Sequence, residues 1–184
     1  MMAKKILLDS KKIHLILSRL VYELIENHKD FKDTVLIGLQ PRGVYFFNHI
    51  LKVFETNHPK IKIKSGILDF TFFRDDFRRK EKTLSANSTQ INFTLENKRI
   101  VLIDDVLFTG RSIKAAMSAI DSYGRPKSIE LLVLVDRRFK REIPIEANYC
   151  GTKIDTFKGD KVKVIWDDMP CLLYTSDAAD DIGR

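Results

Sequence analysis

Cysteine is scarce in this chain: two residues in 184, Cys150 and Cys171. They show no metal-ligand spacing and no disulfide framework, so a reducing, cytoplasmic location is the expectation. No apolar stretch approaches the ~20 residues of a membrane span. The start, Met-Met-Ala-Lys-Lys-Ile-Leu-Leu-Asp, turns charged too early for a signal peptide. Neither Gly-x-x-x-x-Gly-Lys nor Gly-x-Gly-x-x-Gly occurs, which excludes a P-loop and a dinucleotide fingerprint. RNP, KH and zinc motifs are also missing. There is no internal repeat and no interdomain linker.

What is present suits one domain with one substantial core: 184 residues, 44% of them hydrophobic. The net charge is +7; the last fourteen residues carry −2 and the remainder +9. Such an excess favours anionic partners, either phosphorylated substrates or nucleic acid. Composition alone leaves generic solubility charge as an equal alternative.

Along the chain, Asp9 or Ser10 can cap a helix running to about His28, with Ile13, Leu17, Leu20 and Leu24 on one face. Residues 35–39 read as a short buried strand. Residues 42–55 read as a helix with Phe47, Ile50, Leu51 and Phe54 inward. Residues 61–72 are strand-like. Residues 75–90 are charged and then rich in Ser, Thr and Asn, which predicts a mobile excursion. Residues 100–104 read as a central strand and 112–123 as the helix after it, ended by Gly124 and Pro126. Residues 129–135 form another buried strand, and Val162, Val164 and Trp166 alternate in a last one. Strands alternating with helices imply an α/β fold with a central parallel sheet.

The most informative string is Ile100-Val101-Leu102-Ile103-Asp104-Asp105-Val106-Leu107-Phe108-Thr109-Gly110-Arg111-Ser112. It predicts a buried strand ending in two acids, a tight turn and a helix N-terminus. Unpaired N–H groups and the positive dipole end suit a phosphate there. Thr109 and Ser112 add hydroxyls, and Gly110 lets backbone approach closely. The acids cannot hold that phosphate, but they can accept hydrogen bonds from vicinal hydroxyls. A sugar 5′-phosphate with free 2′ and 3′ hydroxyls fits both halves. A buried strand with an acidic end and a Ser/Thr-capped helix is the plainer alternative.

This string resembles the phosphoribosyl-diphosphate (PRPP) motif of type I phosphoribosyltransferases. Residues 66–76, 124–129, 134–138, 141–145 and 147–151 extend the likeness, from about Ile6 to about Asp168. Together they resemble the family of bifunctional pyrimidine operon regulators / uracil phosphoribosyltransferases. The resemblance implies a type I phosphoribosyltransferase fold, a central parallel sheet flanked by helices with a small hood. It also implies UMP formation from uracil and PRPP with Mg²⁺, and nucleotide-sensitive binding to the leader RNA of pyrimidine genes. UMP or UTP would be the effector, and the protein a dimer or higher oligomer. Residues 1–168 would be the phosphoribosyltransferase domain. Residues 169–184 do not resemble the family's closing segment and are expected to be non-native or disordered.

Residue by residue, the resemblance implies a PRPP site over 100–112, with Asp104 and Asp105 orienting the ribose. Gln40, Pro41, Arg42 and Gly43 fall at its pyrophosphate loop, where Arg42 can reach pyrophosphate oxygens. Gln40-Pro41 replaces the Lys-Thr pair of better-known members, and Pro41 removes one N–H donor. Residues 73–80 fall at the flexible catalytic loop, where Arg74 would reach the pyrophosphate on closure. Phe108 stands where purine-salvage relatives commonly carry an Asp facing the purine N7, which favours a smaller base. The uracil edge would lie near Asp136 and Arg137, just after the strand over 129–135; a structural turn with an ion pair is the alternative. Protein side chains are not expected to hold the metal. For RNA, Arg19 and Lys153 are the best candidates, among Lys11, Lys12, His14, Lys158, Lys161 and Lys163. A salvage enzyme without an RNA role, or a nucleotide sensor without turnover, stays open from the sequence alone.

Overall fold

The computed structural model of the chain describes residues 4–75, 87–156, 160–166 and 171–175. In chain order the elements are β1 (Lys4–Leu8), α1 (Ser10–His28), β2 (Thr34–Leu39), α2 (Gly43–Asn57), β3 (Lys64–Leu68), β4 (Arg99–Leu107), α3 (Arg111–Ile120), β5 (Ser128–Arg138), β6 (Tyr149–Asp155), β7 (Asp160–Val164) and β8 (Cys171–Thr175). Five strands make a wholly parallel sheet in the order β3-β2-β4-β5-β6. The other three form a small antiparallel sheet, β1-β8-β7.

The central strands are apolar on successive residues because both faces of the sheet are covered. Val35, Ile37, Ile100, Leu102 and Val133 pack with Ile113, Ala116 and Ile120 of α3. Leu36, Val101, Ile103, Leu132 and Leu134 pack with Leu17 and Leu24 of α1 and Phe47 and Ile50 of α2. Each fully buried Leu, Ile, Val or Phe stabilises the fold by about 1.5–3 kcal/mol over its exposed state. At the start of α1 the Asp9 carboxylate accepts the Lys12 N–H at 2.8 Å, the cap expected from sequence.

Several expectations need correction. The strand expected over 100–104 does not end at the acids: Asp104 pairs with Val133, Val106 with Val135 and Leu107 with Asp136. β5 likewise runs to Arg138, so Asp136 and Arg137 lie inside it rather than after it. A parallel ladder continues through a charged residue wherever its neighbour supplies backbone partners. The strand-like reading of 61–72 shrinks to β3, followed by a 3₁₀ turn at Thr71–Phe73. Phe46 of α2 is fully buried, whereas Leu51 is only half-buried. The alternation ending at Trp166 yields β7, and it is not the last strand. Cys171–Thr175, in the segment expected to be non-native or disordered, forms β8 between β1 and β7. The expected excursion over 75–90 falls largely outside the described residues, as do 167–170 and 176–184.

From β2 the chain crosses to β3 on one side, whereas β4 pairs on its other side and continues to β5. β2 and β4 therefore flank a topological switch point, and the loops leaving their carboxyl ends diverge to open a crevice.

Candidate active site

Two loops and one strand end build this crevice. The first loop, Gln40 to Gly43, leaves β2 through a cis Gln40–Pro41 peptide. Its Gln40 is anchored twice: the N–H donates to the Leu68 carbonyl at 3.0 Å, and the side-chain amide donates to the Ser88 carbonyl at 2.9 Å. Pro41 and Arg42 are exposed, and Gly43 opens α2. Gly43 is required by proximity: a Cβ there would stand 2.7 Å from the Ile103 carbonyl oxygen and 2.9 Å from Asp104 Oδ1. The N-terminus of α2 thus sits directly against the first acid of β4.

Asp104 Oδ1 accepts the Asp105 N–H at 2.9 Å. Burial pushes the Asp104 carboxyl well above the usual carboxylate range, and the neighbouring Asp105 charge pushes it further. Asp105, 7% exposed, is raised by burial too, against the opposing Arg42 charge. Two adjacent carboxylates are therefore held together, Asp105 buried and Asp104 partly exposed, with one cation near them. Such a site favours hydroxyl donors or a metal cation that can relieve the repulsion.

Beyond Leu107 the chain bends at Phe108 and Thr109 into Gly110. Gly110 takes φ 90°, the left-handed region that glycine enters without strain, and α3 starts at Arg111. The Lys114 N–H donates to the Gly110 carbonyl at 3.0 Å and the Arg111 N–H to Thr109 Oγ1 at 3.4 Å, so the first-turn N–H groups of Ser112 and Ile113 have no acceptor within the helix. These N–H groups and the Ser112 hydroxyl lie just beyond the acids, the arrangement expected of a phosphate seat. The Thr109 carbonyl accepts the N–H groups of Glu142 at 2.9 Å and Ile143 at 3.0 Å, docking the loop after β5 on this turn. Arg111 adds ion pairs to Glu142, at 2.5 Å, and to Asp75.

A second cluster of charged side chains lies at the end of β5. Asp136 and Arg137 are buried and already engaged. The Asp136 carboxylate accepts from the Arg141 guanidinium. Arg137 covers the Phe108 ring at 3.9 Å and donates to Thr156 Oγ1 at 3.3 Å. Beside them a cleft of about 470 Å³ is lined by Asp136, Arg138, Phe139, Arg141, Ile145 and Lys153, among others. Arg74 follows the 3₁₀ turn at Thr71–Phe73 and is half-buried.

Most of the sequence-derived positions thus converge on one edge: 40–43, 104–105, 108–112 and 136–137. Arg19 and Lys153 belong to α1 and β6. The Arg19 guanidinium donates to the Cys150 and Gly151 carbonyls at 2.9 and 2.8 Å, clamping α1 to β6. Lys153 Nζ lies 3.8 Å from Glu146. Sequence reasoning assigned no role to Arg141, which touches both Asp136 and the Phe108 carbonyl. Its signals in the sequence were its place in a basic run after an acid and in the segment 141–145 that extends the family resemblance.

Among the described residues no three His, Cys, Asp or Glu side chains converge as a metal cage. The carboxylate pair can share a divalent ion whose remaining ligands come from a substrate, which is how Mg²⁺ usually meets phosphates. No helix among the described residues is long and apolar enough to cross a membrane.

The model of the phosphoribosyl transferase domain family matches residues 4–169. The bifunctional protein PyrR of Clostridium novyi is 42% identical over 162 residues, covering 88% of this chain and 90% of that protein. That of Caldicellulosiruptor bescii is 41% identical over 168 residues, covering 90% of each. The chain belongs to the phosphoribosyltransferase family, in its bifunctional PyrR branch. Hypoxanthine phosphoribosyltransferases share the fold. The Trypanosoma cruzi structure superposes with a TM-score of 0.71 at 14% identity, over 93% of this chain and 95% of that one. A Staphylococcus aureus structure gives 0.67 at 20% identity, over 94% and 91%. At those identities the likeness speaks for the phosphoribosyltransferase architecture alone.

Proposed function

We propose that the chain is a uracil phosphoribosyltransferase that also regulates pyrimidine genes, binding their leader mRNA in the cytoplasm as a dimer or higher oligomer when UMP or UTP is bound. One observation carries the enzymatic half. The Asp104–Asp105 pair, with Asp105 buried and Asp104 partly exposed, lies against the α2 N-terminus, and the first turn of α3 lies just beyond it.

Asp104 and Asp105 accept the ribose 2′ and 3′ hydroxyls, which relieves the repulsion between the carboxylates. The first turn of α3 holds the 5′-phosphate, so remote binding energy positions the reacting carbon. Arg42 and Arg74 face the diphosphate. Uracil N1 forms a bond to ribose C1 as the bond from C1 to the diphosphate oxygen breaks, and the N1 proton passes to solvent or to the departing diphosphate. The carboxylate pair stabilises positive charge growing at C1. Mg²⁺ bound with PRPP beside Asp104 and Asp105 would supply neutralisation of leaving-group charge. Uracil packs at Phe108, near Asp136 and Arg137.

Diphosphate release from PRPP tests this half, with uracil, orotate, hypoxanthine and guanine compared. Uracil should be fastest, and a faster purine would overturn the assignment. The regulatory half rests on the basic excess, on the bifunctional relatives, and on Arg19 and Lys153 lying on adjoining elements. Fluorescence anisotropy with a pyrimidine-gene leader and a scrambled control tests it. Lys153→Ala should weaken leader binding and lower the salt slope by about one. Equal affinity for the scrambled RNA, with and without UMP, would leave only the salvage reading.

A further inference from the structure

Phe108 is an exposed aromatic held from two directions. The residue is 38% exposed, and its ring carries the Arg137 guanidinium at 3.9 Å. Its carbonyl accepts from Arg141, whose other terminal nitrogen donates to the Asp136 carboxylate. Arg137 is itself fixed by Thr156 and 6% exposed, and Asp136 is 4% exposed. Charged side chains this buried exist where geometry and partners hold them. Here they hold one aromatic residue, immediately before the phosphate turn. An unsupported surface Phe would sample several rotamers; a base packing on it would then bear the ordering cost.

We infer that Arg141 is a positioning residue for the base. It bridges the Phe108 carbonyl to Asp136 and so fixes the main chain at Phe108, whose ring, backed by Arg137, is the wall on which uracil packs. This inference rests on the proposed uracil transfer. Its chemistry needs a fork: two terminal nitrogens of one planar cation must reach two acceptors from different segments. Lysine offers a point charge on a flexible stem and cannot hold both acceptors in one plane. The rival role for Arg141 is a brace for the loop at 139–145. That brace would affect the phosphate turn, which accepts the Glu142 and Ile143 N–H groups, as much as the base.

The two roles separate when UMP and ribose 5-phosphate are compared, because only UMP carries the base. Calorimetry would measure both ligands on the wild type, Arg141→Lys and Asp136→Asn, with melting curves to establish folding. Arg141→Lys should weaken UMP by roughly tenfold or more and leave ribose 5-phosphate within about twofold, a loss typical of one misplaced pocket contact. The KM for uracil should rise with the KM for PRPP unchanged. Asp136→Asn, which keeps an acceptor but drops the charge, should show the same pattern more weakly, and it carries the test if Arg141→Lys fails to fold. Equal weakening of both ligands, or of neither, would overturn the inference. Uracil turnover by the wild type is judged separately. If another base were preferred, the uracil assignment would fall, and that base's nucleotide would replace UMP in the same comparison.

Discussion

At the amino-terminal end of the sheet, buried polar groups close on one another. His28 Nδ1 faces Thr34 Oγ1 at 3.0 Å, and its Nε2 faces Tyr149 Oη at 3.1 Å. Tyr149 donates to Glu130 Oε2 at 2.7 Å and accepts from the Asn27 amide at 3.1 Å. Towards the carboxyl end of the same sheet, on β4, Asp104 and Asp105 stand side by side, and the Asp105 charge raises the cost of ionising Asp104. One end of the sheet satisfies its polar groups within the protein; the other leaves two acids for a ligand to satisfy. Stability is concentrated at the first end and chemistry at the second, so substitutions at the two ends should separate them.

The largest effect belongs to the acids. Asp104→Asn with Asp105→Asn should abolish diphosphate release, losing about 1.5–3 kcal/mol for each charged hydrogen bond to ribose. The same double variant should melt higher at neutral pH. A carboxyl whose pKa is raised by folding costs stability as pH rises above its unfolded value, and the cost is complete above the folded value, because the unfolded chain ionises more easily. Melting temperature should rise by roughly 2–4 °C per kcal/mol of repulsion removed. Retained activity, or a lower melting temperature, would dissolve the contrast between the two ends.

Next comes Gly43→Ala. The added Cβ would meet the Ile103 carbonyl and Asp104, so the start of α2 must shift. Overpacking of this kind costs about 1–3 kcal/mol. Because the crowded atom belongs to the site, kcat/KM for PRPP should fall further than stability does. Steady-state rates and melting curves on one preparation check this.

Tyr149→Phe should do the reverse. It removes the hydroxyl that joins Glu130, Asn27 and His28, costing about 1–3 kcal/mol for partners left unsatisfied. Uracil and PRPP kinetics should stay unchanged at temperatures where the variant is folded. A change in kcat without a change in stability would mean that the two ends are coupled.

Much of this contrast was legible in the residues. The apolar runs of β2, β4 and β5 and the acid-to-hydroxyl spacing of 104–112 depend on local sequence, so they located the sheet and its edge. β6 was not legible: Tyr-Cys-Gly-Thr-Lys-Ile-Asp has no strong apolar pattern, and its ladder partner is the backbone of β5. The strand ends were read too short because charge was taken as a stop. Arg19 was read as an RNA-binding candidate; only the approach of α1 to β6 shows its carbonyl contacts. Arg141 depends on residues 108, 136 and 141 meeting in space, which no local pattern encodes.

The smallest effect is a pH dependence at the closed end. His28 is 1% exposed, and burial lowers its pKa below 6.5. The Glu130 charge, 3.3 Å away, opposes that shift, and Arg99 adds to it. The native ring is therefore held neutral more firmly than in the unfolded chain. Below pH about 6.5 the unfolded histidine takes up a proton that the folded one resists, so the unfolded state binds more protons. Stability from this group is fully present above that pH and declines as pH falls from there towards the lower folded pKa. His28→Gln keeps hydrogen-bonding capacity without a titrating ring, so its melting temperature should fall less between pH 7 and pH 5.5. The difference between the two profiles isolates His28 from the carboxylates, which titrate in both proteins. If the wild type instead gained stability on acidification relative to the variant, Glu130 would be holding an imidazolium. The amino-terminal end would then contain a buried ion pair in place of a neutral network.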